Sequence, residues 1–160
     1  MADAVQGVRV RTAGVDDLPV LRDVYRRSSL SNPEDVEALL ARPELLVLAD
    51  SGVRSGWTRV AVGAGGDVLG FATAVPGVDG TLELDDLFVD PSAMGRGVGR
   101  LLVADVVARS RRDGVERVDV TASPASRGFY ERVGFVAVGE VALLLAPGIR
   151  MHLHVRSDTG

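Results

Sequence analysis

The chain has 160 residues, of which 46% are hydrophobic, and a formal net charge of −4 at pH 7, so one folded domain with a substantial core is expected. Because cysteine is absent and only two histidines occur, disulfides, thiolate nucleophiles and a histidine-rich metal centre are excluded, and we expect no metal. The acidic balance does not favour a nucleic-acid partner, and no apolar run approaches the ~18 residues of a membrane span.

The first quarter of the chain predicts a strand followed by two helices. Gly7–Ala13 alternates as a strand does, and Asp16 or Asp17 can cap the helix that follows. A second helix is predicted with Asn32 as its N-cap and Pro33 in its first position, ending at the next proline. The segment LLVLADSGVRSG fits either a short strand or a loop.

The middle of the chain predicts a hairpin and one further strand. The arms of the hairpin are Trp57–Val62 and Val68–Val75, joined by a turn at Gly66-Asp67. A second turn spans Gly77–Gly80, and the strand Thr81–Val89 follows it.

The remainder predicts helix, strand, helix and two closing strands. A helix of roughly four turns ends near Asp113, Val115–Ser123 forms a strand, and a short helix closes at Gly134, a residue type common at helix C-termini. FVAVGEV and IRMHLHV are the closing strands. This order predicts a mixed α/β fold with helices covering a sheet.

A glycine-rich loop lies between the strand Thr81–Val89 and the helix after it. The stretch FVDPSAMGRGVGRLL places glycine at Gly95, Gly97 and Gly99. Glycine lets backbone approach an anion closely, and a helix start presents unpaired N–H groups and a partial positive charge. Strand, loop and helix start therefore predict a phosphate cradle. A tight connection without any ligand remains the alternative on the loop alone.

A second motif follows about thirty residues later. SPASRGFYERVGF (Ser123–Phe135) contains F-Y-x-x-x-G-F, and the earlier loop reads V-D-P-x-x-x-G-R-G-V-G. Together, and in this order, the motifs resemble the GNAT superfamily of acyl-CoA-dependent N-acetyltransferases, whose order of elements fits about residues 8–155. The resemblance implies a single N-acetyltransferase domain over residues 1–160. It also implies a central, mostly antiparallel sheet with a splayed parallel pair and helices on both faces.

The resemblance implies acetyl-CoA as the cosubstrate. Its pyrophosphate would bind the backbone amides of the glycine loop, and its pantetheine arm would pair with the end of the strand before the loop. The implied cofactor-binding residues are Leu87, Phe88, Val89, Met94, Gly95, Arg96, Gly97, Val98, Gly99, Arg100, Ser123, Ser126 and Phe129.

Three of these positions depart from the family's pattern. The family usually has Arg or Gln where this chain has Met94, so a side-chain contact to phosphate is lost, and Arg96 can partly replace it. The family commonly has Asn and Ala at the positions of Ser123 and Ser126. Because the backbone amides do most of the phosphate binding, we expect the cofactor still to bind.

The reaction needs a proton acceptor, because an amine with a pKa near 10.4 is only about 0.04% neutral at pH 7. The ELDD segment supplies Glu83, Asp85 and Asp86, and on a strand the first two point to one side and the third to the other. Glu83 matches the base of some family members. Two carboxylates sharing a cleft would raise the pKa of one of them. Solvated carboxylates, with water as the base, are the alternative.

The resemblance implies that Tyr130 is the general acid and that a backbone N–H near Phe88 binds the oxyanion. Tyr130 could instead be an aromatic residue at the edge of the core. Arg26-Arg27 are interpreted as a solvated helix face, and His152 and His154 as structural residues of the last strand.

The predicted function is transfer of an acetyl group from acetyl-CoA to a primary amine of a small molecule or protein, by direct attack on the thioester. A catalytically weak acyl-CoA sensor is the alternative. The predicted partner is an amine substrate, with no nucleic acid and no membrane, and the resemblance also allows a homodimer. The N-terminal segment lacks the apolar core of a signal peptide, so a cytoplasmic protein is expected.

Overall fold

A computed structural model describes residues 6–143 and 147–156, so both ends of the predicted domain, at residues 1 and 160, lie outside the described residues. The strands are β1 (Arg9–Thr12), β2 (Thr58–Val62), β3 (Val68–Pro76), β4 (Leu82–Val89), β5 (Arg117–Ala122), β6 (Val136–Ala142) and β7 (Pro147–His154). The helices are α1 (Leu18–Ser29), α2 (Val36–Ala41), α3 (Ser51–Arg54), α4 (Val98–Arg112) and α5 (Arg127–Arg132).

The strands form a mixed sheet in the order β1-β2-β3-β4-β5-β7-β6. The ladders β1/β2, β2/β3, β5/β7 and β6/β7 are antiparallel, whereas β4/β5 is parallel. This confirms the predicted mixed α/β class with a mostly antiparallel sheet and one parallel pair. Within the described part of the chain, none of the helices combines the length and apolar character needed to cross a bilayer.

The described residues fall into two compact units. The first unit comprises residues 6–73 and 86–102, and the second comprises residues 74–85, 103–143 and 147–156. Strands β3 and β4 and helix α4 each contribute residues to both units. The single-domain assignment stays a prediction.

The core of the first unit forms where α1 packs against the hairpin of β2 and β3. Leu21 and Val24 recur at helical spacing on α1 and are fully buried, as are Val60 and Phe71 on the hairpin. The Phe71 ring centroid lies 5.7 Å from that of Phe88 near the end of β4. This core therefore supports the strand end that precedes the glycine loop.

Gly70 allows β3 to approach the end of β4 closely. A Cβ atom built at Gly70 would lie 2.7 Å from the carbonyl oxygen of Phe88 and 3.2 Å from the Cα of Val89. Both contacts are to backbone, which cannot rotate away as a side chain can. The spacing of the two strands at this point therefore requires glycine.

The core of the second unit is built around β5. Val118, Val120 and Ala122 are almost completely buried, and Met151 of β7 is fully buried. The three successive residues Val118–Val120 are all buried, which is typical of a strand covered on both faces. Asp119, also on β5, is only 1% exposed, so this unit buries a charged side chain that needs partners.

Two predictions for the part of the chain before β2 were wrong. Helix α2 begins at Val36 with Asp35 in the N-cap position, and not after Asn32. The Asn32 side chain instead donates to the Asp35 carboxylate at 2.9 Å and accepts from the Glu34 N–H at 3.3 Å, closing a turn. The segment predicted as strand or loop contains the short helix α3. Asn and Asp side chains stabilise such turns as readily as helix caps.

Candidate active site

The connection from β4 to α4 begins with a turn organised by Asp90. Pro91–Ala93 forms a 3₁₀ turn, and the Asp90 carboxylate accepts from the N–H of Ser92 at 3.0 Å and from its hydroxyl at 2.8 Å. The Asp90 N–H donates to the carbonyl of Leu69 on β3 at 2.8 Å. These bonds fix the first half of the loop within the first unit.

A salt bridge joins the loop to α1. The Arg27 guanidinium donates from Nε to Oδ2 of Asp90 at 2.9 Å, and Asp90 is only 8% exposed. The interpretation of Arg27 as merely solvated was therefore wrong. Burial alone would raise the pKa of Asp90, but hydrogen bonds from Arg27 and Ser92 outweigh burial and hold that pKa below its ordinary value.

Replacing this carboxylate should destabilise the chain in a pH-dependent way. The folded-state pKa of Asp90 is lowered, so its contribution is complete above the unfolded pKa of about 3.9 and is lost as the pH falls through the folded value. We expect Asp90→Asn to lower the free energy of unfolding by about 1.5 kcal/mol at pH 7 and by less at pH 3. Urea denaturation at both pH values measures the difference.

The matched control is Asp16→Asn, at an exposed aspartate of the same unit, for which we expect a change within about 0.5 kcal/mol. An Asp90→Asn deficit of equal size at pH 3 and pH 7 would show that the charge of Asp90 does not stabilise the loop.

The second half of the loop turns through two glycines with left-handed backbone. Gly95 has φ +76° and Gly97 has φ +86°, a region that residues with a Cβ rarely adopt. The first helical bond of α4 runs from the N–H of Leu101 to the carbonyl of Gly97 at 3.0 Å. The N–H groups of the first turn, from Val98 to Arg100, therefore have no acceptor within the helix.

One buried side chain anchors this helix start. Val98 is 1% exposed, whereas Met94, Gly95, Arg96, Gly97 and Arg100 are exposed. The loop thus presents backbone and two arginines to solvent while its base is held in the core. This arrangement suits an anion that binds backbone N–H groups at a helix start.

The strand end before the loop is held by aromatic packing. The Phe88 ring lies 4.8 Å from the Tyr25 ring in an edge-on arrangement, and Leu87, Phe88 and Val89 are half-buried. Burial, followed by the charge of Asp86, raises the pKa of Tyr25, whose hydroxyl donates to the carbonyl of Leu45 at 2.8 Å. The β4/β5 ladder pairs only Leu82–Leu84 with Val118–Val120, although β4 continues to Val89.

The second motif lies in the second unit, where its two serines bond to each other. The hydroxyls of Ser123 and Ser126 are 2.9 Å apart, and the Ser126 hydroxyl accepts from the Ser123 N–H at 3.1 Å. These contacts organise the turn before α5. Cofactor contacts by either serine stay a prediction.

The tyrosine of this motif is enclosed by aromatic rings. Tyr130 is 7% exposed, and its ring centroid lies 5.2 Å from that of Phe129 and 5.3 Å from that of Phe135. Gly134, with φ +108°, turns the chain back so that the Phe135 N–H donates to the Tyr130 carbonyl at 2.9 Å. The motif therefore fixes the ring of Tyr130 rigidly.

Two of the predicted carboxylates belong to a charged cluster, also in the second unit. Arg150 of β7 donates from both terminal nitrogens to the two carboxylate oxygens of Glu83, each at 2.6 Å. Arg117 pairs with the buried Asp119 at 2.7 Å, and His152 lies 3.5 Å from the same carboxylate. Partial burial, and then the charge of Glu83, raises the pKa of Asp85.

The structure thus brings the predicted site residues together as two groups, one in each unit. Leu87–Val89 and Met94–Arg100 form the strand end and loop of the first unit. Glu83, Asp85, Ser123, Ser126, Phe129 and Tyr130 belong to the second unit. The sequence analysis missed Arg27 and Arg150, which pair with Asp90 and Glu83, because each lies more than sixty residues from its partner.

Comparison with known proteins identifies the family. The model of the acetyltransferase (GNAT) family matches residues 21–135, more than half of the chain. The serotonin N-acetyltransferase 2, chloroplastic, of Oryza sativa subsp. japonica is 31% identical over 136 residues, covering 82% of this chain and 63% of that protein. The glucosamine 6-phosphate N-acetyltransferase of Trypanosoma brucei brucei is 41% identical over 55 residues, covering 34% of this chain and 37% of that protein.

Solved structures share the fold. The PaiA N-acetyltransferase of Thermoplasma acidophilum, determined in complex with coenzyme A, superposes with a TM-score of 0.71 at 17% identity, covering 92% of this chain and 98% of that one. The chain spans less than two thirds of the length of the two curated relatives. The family model, the relative matched along most of this chain and the shared fold agree, and the chain belongs to the acetyltransferase (GNAT) family.

Proposed function

We propose that this chain transfers an acetyl group from acetyl-CoA to a primary amine of a small molecule or peptide, by direct attack of the amine on the thioester. The observation that carries the proposal is the loop between β4 and α4, where two left-handed glycines lead into a helix start anchored by Val98. Membership of the acetyltransferase (GNAT) family supports it.

The cofactor is bound mainly by backbone. The N–H groups from Gly95 to Arg100 hold the pyrophosphate, and the exposed Arg96 and Arg100 add positive charge. The pantetheine arm pairs with the strand end Leu87–Val89, as an added strand does. Met94 contributes no charge, so we assign the electrostatic attraction to the two arginines.

The acceptor is a primary amine. The two curated relatives are named for the acetylation of serotonin and of glucosamine 6-phosphate, which are small molecules that carry such a group. In this chain a carboxylate of β4, Glu83 or Asp85, takes a proton from the ammonium form, and the neutral nitrogen attacks the carbonyl carbon of the thioester. A backbone N–H near Phe88 stabilises the oxyanion, and Tyr130 protonates the departing sulfur.

Two measurements test the proposal together. Thermal unfolding with acetyl-CoA reports cofactor binding, and release of the CoA thiol over a panel of amines, with mass-spectrometric detection of products, reports transfer. Stabilisation with transfer supports the enzyme. Stabilisation without transfer to any amine would favour the alternative, a catalytically weak acyl-CoA sensor. No stabilisation by acetyl-CoA would overturn both the enzyme and the sensor.

Homodimerisation and cytoplasmic location stay predictions.

Tyr130→Phe should lower kcat about tenfold, because the general acid is lost. This loss is smaller than that usually seen when a general acid is removed. The CoA thiol has a pKa near 8.5, so its thiolate is already a tolerable leaving group without protonation. Steady-state kinetics with an amine found in the screen measure kcat. The control is Tyr25→Phe, the other tyrosine, which should keep kcat close to that of the unchanged chain. An unchanged rate across pH in Tyr130→Phe would remove Tyr130 from the mechanism.

A further inference from the structure

Glu83 and Asp85 of β4 lie in the charged cluster of the second unit, and their carboxylates have different surroundings. Glu83, Asp119 and His152 occupy facing positions across β4, β5 and β7, so their side chains lie on one face of the sheet. Arg117 and Arg150 each lie two residues from a member of this row and share its face. On this face Arg117 and Arg150 therefore lie beside the carboxylates of Glu83 and Asp119. Asp85 is a third carboxylate, two residues beyond Glu83 on β4.

Arg150 forms a hydrogen bond to each carboxylate oxygen of Glu83. Each carboxylate oxygen accepts a hydrogen bond of 2.6 Å, in the bidentate geometry of the strongest ion pairs. Arg150 is itself held by the hydroxyl of Thr121 at 3.1 Å and lies 3.6 Å from the Asp119 carboxylate. Hydrogen bonding to Glu83 is the main cause of the raised pKa of Arg150, so the guanidinium stays charged. A charged guanidinium therefore lies against both carboxylate oxygens of Glu83.

Asp85 lies in a different environment on the same face of β4. Asp85 is only partly covered by the residues around it, and among the residues that the structure describes none forms a hydrogen bond or ion pair with its carboxylate. The β4/β5 ladder ends at Leu84, one residue before it. Neighbouring β3, with the sequence VLGFATAVP, contributes no ionisable side chain. Burial and the charge of Glu83 act on Asp85 in the same direction and make it a stronger base than a free aspartate.

We propose that Asp85, and not Glu83, takes the proton from the acceptor amine, and that Arg150 is a positioning residue that fixes Glu83 beside Asp85. The inference rests on the proposed acetyl transfer and deepens it. The ammonium group gives one proton to the Asp85 carboxylate, which later releases it to solvent. The neutral nitrogen forms the C–N bond to give a tetrahedral intermediate, and the C–S bond then breaks. Tyr130 gives its proton to the departing sulfur and regains one from the second N–H of the intermediate, so the products are the amide, the CoA thiol and one proton.

The charges around Asp85 predict opposite effects of two substitutions. Glu83→Gln removes the negative neighbour and should move the acidic limb of the kcat/KM profile to lower pH. Arg150→Gln removes the positive partner, leaves Glu83 unneutralised, and should move the same limb to higher pH. Arg150→Lys should restore the limb toward that of the unchanged chain. The other ionisable residues of the face, Asp119, Arg117 and His152, are not substituted in any of these variants.

Kinetics across pH, with an amine found by the acetylation screen, tests the assignment. We expect Asp85→Asn to lower kcat at least about 100-fold with an unchanged KM for acetyl-CoA, and Glu83→Gln to lower kcat by less than about tenfold, because it weakens the base without removing it. The ionisation of the amine and that of Asp85 both contribute to the pH profile of kcat/KM. Measuring two acceptor amines of different pKa separates them, because the contribution of the amine moves with the substrate and that of Asp85 does not.

A second measurement needs no turnover. The side-chain carboxyl carbons of the ligand-free chain can be titrated by NMR, with the Asp85 signal assigned by its loss in Asp85→Asn. We expect Asp85 to titrate above the ~3.9 of a free aspartate and to move downward in Glu83→Gln.

The outcomes separate the two proposals. If Glu83→Gln loses about 100-fold while Asp85→Asn retains its rate, Glu83 is the base, and this inference is overturned while acetyl transfer stands. Identical acidic limbs in all variants would assign the proton to water and overturn it equally. If the unchanged chain transfers acetyl to no amine, the proposed function fails, and the assignment of Asp85 as base fails with it. The NMR titration then still decides whether Glu83 acts on Asp85.

Discussion

Replacing Gly95 by valine should lower the affinity for acetyl-CoA about 100-fold, equivalent to roughly 2.7 kcal/mol. Gly95 adopts φ +76°, which a β-branched residue avoids, so the loop must change its backbone conformation. Apart from the two chain neighbours of Gly95, no atom of the residues that the structure describes lies within 4 Å of a Cβ built there, so the added side chain would occupy the open space in which we place the pyrophosphate. Isothermal titration calorimetry with acetyl-CoA measures the loss.

The matched control is Gly56→Val in the same unit. Gly56 also has φ +76° and is exposed, and within the described part of the chain only its two sequence neighbours could lie within 4 Å of an added Cβ. Both substitutions should therefore cost a similar amount of stability, about 1–2 kcal/mol, while only Gly95→Val weakens cofactor binding. Equal affinities of the two variants for acetyl-CoA would contradict a phosphate site at the glycine loop.

Phe71→Ala should lower the free energy of unfolding by about 3–5 kcal/mol, the largest stability effect we expect. Phe71 is fully buried in the core of the first unit and contacts Phe88, so the substitution leaves a cavity beneath the strand end that precedes the loop. Urea denaturation without ligand measures this loss.

Phe129→Ala makes the same chemical change at a half-buried ring and should cost less, about 1–2 kcal/mol, because less apolar area is withdrawn from water. Equal losses for the two phenylalanines would show that the packing around Phe71 does not distinguish it from a ring near the surface.

The elements best predicted from sequence are those whose signals are local. The hairpin of β2 and β3, the strand β4 and the helix α4 were confirmed because alternation, turn residues and glycines identify them within short windows. The start of the second helix, placed after Asn32, was wrong because an Asn-Pro pair serves a turn as well as a helix start. Local chemistry alone cannot choose between these uses.

The candidate site also has a part that could be predicted from sequence and a part that could not. The glycine loop and its left-handed residues could be predicted, since the loop is continuous in sequence. The pairs Arg27–Asp90 and Arg150–Glu83 could not, because tertiary packing brings together residues separated by 63 and 67 positions. The predicted effect of neighbouring acids was confirmed in direction for Asp85, whose pKa is raised partly by Glu83. The pairing of Arg150 with Glu83 could not be predicted from the residues near either one in the sequence.

The close approach at Gly70 has a consequence for the inheritance of function. The strand end that leads into the cofactor loop lies where it does because position 70 carries a hydrogen atom in place of a carbon. One nucleotide change in that glycine codon can install a side chain and displace the strand, although the residue would contact no substrate in the proposed mechanism. A survey of variants confined to ligand-contacting positions would overlook such an allele.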